Sequence, residues 1–179
     1  MGFAGSSSAD SVLSETKLSG LRPEQMDFDC SIRLARPEEA PVLTHLAIRS
    51  KAHWGYDASF MKACNSELTV TTDQIVERAT SVFEEQAVAL AFYRIEIEAE
   101  TVDIASFFFD PFELRRGIGT KMWRHLLDLC RQQGTVRIAI ACDPNAVDFY
   151  QSLGAQPIGT VPSESIAGRS LPLLEYLLE

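Results

Sequence analysis

The chain has 179 residues, of which 46% are hydrophobic, so it is long enough to bury the core of one domain without disulfide or metal support. Its 16 basic and 25 acidic residues give a formal net charge of -9, which disfavours binding to nucleic acid or to an anionic membrane surface. The four cysteines have no C-x-x-C spacing, so buried thiols are expected rather than disulfides or a metal site. No apolar run could span a bilayer and the N-terminus lacks the pattern of a secretory signal, so a cytoplasmic location is expected.

The N-terminal segment, residues 1–29, is rich in Ser, Gly and Ala and has few large apolar residues to bury. We expect a flexible tail there and a single folded domain over residues 30–179. Alternating apolar and polar residues predict a first strand at 31–35. Pro37 then begins a helix, with Glu38 and Glu39 in its first turn.

A helical lobe is predicted before the main sheet. Asp57 is placed to cap a short helix that contains Phe60, and Thr71 or Thr72 to cap another. The stretches 82–83, 87–97 and 101–109 are dense in β-branched and aromatic residues, which predicts consecutive antiparallel strands.

The C-terminal half predicts a helix from Gly117 to Gly134, because apolar residues recur every three or four positions between these two glycines. A buried strand is expected at 136–141, a second helix at 145–153, and two last strands at 157–161 and 173–177. Strands and helices thus alternate in this half of the chain.

A glycine-rich turn opens the first of these helices: Arg115-Arg116-Gly117-Ile118-Gly119-Thr120. Such a turn leaves backbone N–H groups unpaired at a helix N-terminus, where the helix dipole also favours an anion. The glycines allow the backbone to approach a phosphate, and the arginines add positive charge. Alone, this motif indicates only a phosphate-bearing ligand.

The second signal is Asp143-Pro144-Asn145-Ala146-Val147-Asp148-Phe149-Tyr150, one strand after the helix. Together with the glycine-rich turn, it resembles the GNAT superfamily of acyl-coenzyme A dependent N-acyltransferases, from Ile32 to the C-terminus, and is similar to a bacterial subgroup of it. The resemblance implies an α/β (α+β) GNAT fold, with a mixed central sheet of about six to seven strands, splayed in the middle, and helices on both faces. It also implies acetyl-coenzyme A (acetyl-CoA) as the cofactor.

The same resemblance implies the cofactor contacts. In the family, backbone N–H groups of the glycine-rich turn hold the pyrophosphate, and the preceding strand pairs with pantetheine. Leu114 takes the first motif position, where Gln or Arg is usual. The implied cofactor-binding residues are Phe107, Phe108, Phe109, Leu114, Arg115, Arg116, Gly117, Ile118, Gly119, Thr120, Asn145 and Phe149. Asn145 can equally serve as a helix cap, and the phenylalanines as core.

The chemistry implied is direct attack of a primary amine on the thioester, without a covalent enzyme intermediate. Tyr150 matches the family tyrosine that protonates the leaving thiolate, and Asp103 matches the position of the general base. Because Asp is shorter than the usual Glu, a bridging water is expected. Other candidate bases are Glu100, His45 and His53.

Two segments are expected to form the wall of the acceptor site: His53, Trp54 and Tyr56 in the helical lobe, and the loop that contains Ser163 and Arg169. Arg169 can hold a substrate carboxylate or stabilise the loop through a salt bridge. The expected acceptor is the amine of a small molecule or a peptide, and a homodimer is possible. Cys142 is expected to be structural because no neighbouring residue activates it.

Two alternative functions remain open. A non-catalytic acyl-CoA-binding sensor would explain Leu114 and Asp103, which both depart from the family pattern. A Rossmann-type nucleotide-binding protein would share a glycine-rich turn, but this chain has two glycines instead of three, and antiparallel strands precede them.

Overall fold

The computed structural model describes residues 30–77 and 79–178. The predicted flexible tail, residues 1–29, lies outside the described residues. The strands are β1 Cys30–Leu34, β2 Ala79–Glu85, β3 Val88–Glu98, β4 Thr101–Phe109, β5 Arg137–Ala141, β6 Gln156–Pro162 and β7 Ser170–Leu177. The α-helices are α1 Ala40–Ala52, α2 Ala58–Ala63, α3 Asn65–Leu68, α4 Thr72–Glu77, α5 Ile118–Gln132 and α6 Val147–Ser152.

The strands form one seven-stranded sheet in the order β1-β2-β3-β4-β5-β7-β6. Every adjacent pair is antiparallel except β4 and β5, which are parallel and joined through α5. The predicted mixed sheet of six to seven strands is therefore confirmed. A single parallel pair does not make the mostly parallel sheet of a doubly wound dinucleotide fold.

The sheet separates two hydrophobic cores. On one face, α1, α3 and α4 pack on β2 and β3 through residues such as Leu43, Leu46, Val82 and Phe92. The other face is covered by α5 and α6. Side chains alternate across a strand, so Phe92 enters the first core while its neighbour Tyr93 enters the second.

Local signals account for the helix boundaries. Asp57 caps α2 by accepting a hydrogen bond from the Phe60 N–H at 2.9 Å. Thr71, rather than Thr72, caps α4, because its hydroxyl accepts from the Gln74 N–H at 3.2 Å. The helix predicted at Pro37 begins as a 3-10 turn, Pro37–Glu39, before α1. The longest described helix, α5, has 15 residues, and no helix in residues 30–77 or 79–178 is long and apolar enough to cross a membrane.

The central parallel pair is splayed. β4 and β5 pair only where Thr101 to Asp103 meet Arg137 to Ala139, so the remainder of β4 has no partner strand on that side. A bulge lies at the branch point: Arg94 pairs with Ser106 and Ile95 with Ile104, which leaves Ala105 as the extra residue of β4. Such a bulge bends its strand, and this bend coincides with the separation of β4 from β5.

Candidate active site

A cavity of about 520 Å³ lies at the splay between β4 and β5. Pockets of this size accommodate one small ligand or cofactor segment. Residues from both faces of the sheet contribute to its wall, including the end of α1, the start of α5 and one side of α6. The predicted site residues that line it are His53, Trp54, Phe107, Phe108, Phe109, Leu114, Arg115, Gly117, Ile118, Gly119, Thr120, Asn145, Phe149 and Tyr150.

The glycine-rich turn presents backbone donors to this cavity. Gly117 has φ +77°, a left-handed conformation in which glycine avoids the strain of a side chain. The first intrahelical hydrogen bond of α5 runs from the Lys121 N–H to the Gly117 carbonyl, at 3.1 Å. The N–H groups of residues 118–120 precede that bond and have no acceptor among the described residues. The geometry is therefore that of an anion site at a helix N-terminus.

The second glycine of the turn serves close packing. A Cβ atom on Gly119 would lie 2.8 Å from Phe149 Cε2, which is closer than van der Waals contact allows. Phe149 in turn makes an edge contact with Phe109, with ring centroids 5.9 Å apart. The absent side chain thus lets α5 approach α6 and the end of β4.

The two arginines of the turn have different surroundings. Arg115 lines the cavity and has a left-handed φ of +67°. The Arg116 guanidinium lies outside the lining, where it pairs with Glu113 and, at 2.9 Å, with Glu85 at the end of β2. Arg116 therefore attaches the turn to the β2–β3 hairpin, and only Arg115 offers its charge to the cavity.

The unpaired part of β4 forms one wall of the cavity. Side chains alternate along it, so Phe107 and Phe109 join the core under α5 and α6, whereas Phe108 packs against Phe92 on the α1 face. Backbone groups of residues 104–109 face the gap where β5 has diverged. An extended polar chain can pair with such a free strand edge.

Tyr150 lies on α6 and is 4% exposed, yet it contributes to the cavity wall. Its ring contacts Phe107, Phe149 and Trp123, with centroid distances of 5.1 to 6.1 Å. Its hydroxyl has no hydrogen-bond partner among the described residues. Burial raises the pKa of Tyr150 above its usual value, so the group keeps its proton at neutral pH.

Asp103 lies at the closed end of the splay. It faces Glu96 on β3 and Ala139 on β5, whereas the lining of the cavity begins on β4 at Ile104. Burial, and then the charge of Glu98, raise the pKa of Asp103. This carboxylate is thus more basic than usual but stands outside the cavity.

A cluster of charged and polar residues, centred on Asp143, connects four segments around the cavity. Lys51 Nζ donates to Asp143 at 2.9 Å, the Tyr56 hydroxyl at 2.8 Å and Arg169 at 3.3 Å. Burial alone would raise the pKa of Asp143, but the hydrogen bond from Lys51 and the backbone N–H of Asn145 lower it to about 2. Asp143 is therefore a fixed anion that holds the cavity wall together.

Asn145 and Arg169 take their places around Asp143. Asp143, rather than Asn145, caps the turn before α6, accepting from the Asn145 N–H at 3.0 Å. The Asn145 side chain donates to Asp143 at 2.9 Å and lines the cavity. Arg169 could hold a substrate carboxylate or form a salt bridge, and in the structure it forms a salt bridge with Asp143. Arg169, Tyr56 and Ser163 all lie outside the cavity lining. The Ser163 hydroxyl accepts from the Ile166 N–H and so shapes the loop.

Two members of the cluster were not expected at the site from the sequence. Lys51 lies four residues after Ala47 and eight after Leu43, on the buried face of α1, and its side chain is only 9% exposed. A lysine on an apolar helix face was the signal that it meets a buried partner. Asp143 lay within the second motif, but its charged partners, Lys51 and Arg169, are more than 25 residues away and cannot be deduced from spacing.

A helix N-terminus free for an anion, an unpaired strand edge and a buried hydroxyl define a protein that binds an extended, phosphate-bearing ligand and acts on its far end. A model of the acetyltransferase (GNAT) family matches residues 50–155, and the chain belongs to this family. The predicted enzyme class, an acetyl-CoA-dependent N-acetyltransferase, is thereby confirmed. A search of curated proteins gives no match.

Solved structures share the fold. PaiA N-acetyltransferase from Thermoplasma acidophilum, in complex with coenzyme A, has a TM-score of 0.72 at 13% identity and covers 83% of this chain and 99% of its own. The ribosomal-protein-S18-alanine N-acetyltransferase from Escherichia coli has a TM-score of 0.62 at 17% identity, and the match covers 83% of this chain and 93% of that one. YncA from Salmonella typhimurium, a putative acetyltransferase solved with its cofactor acetyl-CoA, has a TM-score of 0.60 at 19% identity. The match covers 84% of this chain and 95% of that one.

Proposed function

We propose that this protein transfers the acetyl group of acetyl-CoA directly to a primary amine that enters the splay from the α1 face. The observation that carries the proposal is the presence, in one cavity, of the free N–H groups of residues 118–120, the unpaired edge of β4 and the Tyr150 hydroxyl. These three features match a pyrophosphate, a pantetheine arm and a thiol in that order along one ligand.

Different residues would bind different parts of acetyl-CoA. The N–H groups that follow Gly117, with Arg115 beside them, would hold the pyrophosphate. The backbone of residues 104–109 would pair with the amide groups of pantetheine. The aromatic wall formed by Phe107, Phe109 and Phe149 excludes water from the same region.

Bound acetyl-CoA supplies the acyl group as a thioester, which is already activated for attack by an amine. Tyr150 would donate its proton to the departing sulfur, because its hydroxyl is protonated at neutral pH and has no hydrogen-bond partner among the described residues. Burial raises the pKa of the neighbouring Cys142 thiol to about 11, so this cysteine stays protonated and is a poor nucleophile.

Asp103 remains the predicted general base, acting through a water. It lies one residue before the first lining residue of β4, so a direct contact with the amine is not expected. His53 is the predicted alternative that lines the cavity.

A second candidate function, acyl-CoA binding without turnover, is favoured by the position of Asp103 outside the cavity. Two measurements distinguish the enzyme from the binding protein. Calorimetry gives the affinity for coenzyme A, and thiol release over a set of primary amines gives the turnover of acetyl-CoA. Micromolar binding with amine-dependent thiol release supports the enzyme. The same affinity without release for any amine supports the binding protein, and loss of both would contradict the cavity assignment.

A further inference from the structure

Three carboxylates line the cavity, and they differ in their partners. Glu113 pairs with Arg116, and Asp143 pairs with Lys51. Glu67, on α3, accepts a hydrogen bond from the Ser165 hydroxyl and forms no ion pair with a described residue. Within the described part of the chain, Glu67 is thus the lining carboxylate that has no ion-pair partner.

Glu67 lies away from the reacting atoms. It is exposed and belongs to α3, on the α1 face of the sheet, whereas Tyr150 is buried under α6 on the other face. An attacking nitrogen must come within about 3.5 Å of the thioester carbonyl, beside Tyr150. A cation held by Glu67 would therefore be distinct from the reacting amine.

The cavity lining also contains an aromatic side chain that suits a cation. Trp54 also lines the cavity and is 44% exposed, and an indole face attracts a positive charge, as does a carboxylate. The net charge of -9 adds a long-range attraction for cations.

Two cations lie in the same region, and each is already engaged. Lys51 Nζ and Arg169 both donate to Asp143, at 2.9 and 3.3 Å, and Arg169 lies outside the cavity lining. The pKa of the buried Cys64 thiol responds to the charges of Lys51, Arg169, Asp143 and Glu67, so these four groups lie in one neighbourhood. Together Lys51 and Arg169 carry one positive charge more than Asp143. Both donate to Asp143 and neither forms an ion pair with Glu67, so the Glu67 carboxylate stays open to an incoming cation.

We propose that Glu67, together with Trp54, binds a second positive charge on the acceptor, so that the preferred substrate is a primary amine carrying a further ammonium or guanidinium group. The inference rests on the proposed acetyl transfer and names its substrate class. A carboxylate-to-cation contact of this kind is worth about tenfold in specificity.

The test compares three primary amines with the same four-carbon chain: butylamine, 1,4-diaminobutane and 4-aminobutanoate. Their second group is neutral, positive or negative while the reacting amine is unchanged. With acetyl-CoA saturating, kcat/KM measured by thiol release is expected to be about tenfold higher for the diamine than for butylamine, and lowest for the amino acid. Glu67→Gln keeps an acceptor for Ser165 and is expected to remove the diamine preference without changing the rate with butylamine.

Glu164→Gln is the matched control. Glu164 is an exposed glutamate in the same loop as Ser165, it does not line the cavity, and its replacement removes the same charge. The control is expected to keep the diamine preference and the coenzyme A affinity. A diamine preference that survives in Glu67→Gln, or a wild type that favours 4-aminobutanoate, would overturn the role of Glu67 while leaving acetyl transfer intact. A wild type that binds coenzyme A but acetylates none of the amines overturns the proposed function, and this inference with it.

Discussion

Replacement of Tyr150 by phenylalanine isolates the hydroxyl from the rest of the side chain. The ring packs against Phe107, Phe149 and Trp123, and those contacts stay in Tyr150→Phe. The hydroxyl has no partner among the described residues, so its removal breaks no protein hydrogen bond. We therefore expect a melting temperature that is unchanged or slightly higher, since a poorly satisfied buried polar group is removed.

The catalytic effect is expected to be large. A positioned general acid contributes about 100-fold or more, which corresponds to about 2.7 kcal/mol of activation free energy. The variant should thus lose at least two orders of magnitude in kcat at saturating acetyl-CoA, while its affinity for coenzyme A, measured by calorimetry, stays within about twofold.

Tyr176→Phe provides the control for this experiment. Tyr176 is a partly buried tyrosine that packs on Trp123 with centroids 5.4 Å apart, and it does not line the cavity. Its kcat should equal that of the wild type. A Tyr150→Phe enzyme with kcat within threefold of the wild type would show that the thiolate leaves without a proton from this residue, and the assignment would be refuted.

Three further changes probe the remaining parts of the site. Gly117→Glu places a strained residue and a negative charge beside the pyrophosphate site, so calorimetry should show coenzyme A binding weakened at least 100-fold; retained affinity would contradict the anion site. Asp143→Asn leaves Lys51 and Arg169 without their anion and should cost about 3 kcal/mol in unfolding free energy at neutral pH. The pKa of Asp143 is about 2 when folded, below its ordinary 3.8, so the wild type loses this stabilisation as pH falls from about 4 to 2. The difference in unfolding free energy between the wild type and Asp143→Asn, measured with urea, should decrease over that pH interval. A difference that stays constant would exclude the carboxylate charge as its source. Asp103→Asn should remove the acidic limb of the pH profile of kcat/KM if Asp103 is the base, since the rate then rises as pH passes above its raised pKa; an unchanged limb would assign that role to another group.

The sequence by itself determined the order of the secondary structure and the position of the glycine-rich turn. Both depend on short-range physics. The spacing of apolar residues in α5, the cap at Asp57 and the left-handed glycine at position 117 are properties of a few neighbouring residues. The antiparallel strands β2 to β4 follow from residue type and from the short connections between them.

The tertiary structure decided which side chains of those motifs face the ligand. Arg116 and Arg115 are adjacent in the chain, but Glu85, 31 residues before Arg116, draws its guanidinium away from the cavity. Asp103 matched the expected position along β4, yet it is the last residue of β4 that pairs with β5, and the cavity lining begins one residue later, next to the bulge at Ala105. Neither outcome is contained in the local pattern.

The charges on the α1 face depend most on the fold. Asp143 receives hydrogen bonds from Lys51, 92 residues earlier, and from Arg169, 26 residues later. Glu67 forms no ion pair with a described residue, because Lys51 and Arg169 both point to Asp143. Spacing predicts contacts within a helix turn or a hairpin, whereas ion pairs between distant segments are set by the packing of the sheet and its helices. The sequence therefore determined the family and the cofactor, and the fold decided which charged side chains line the cavity.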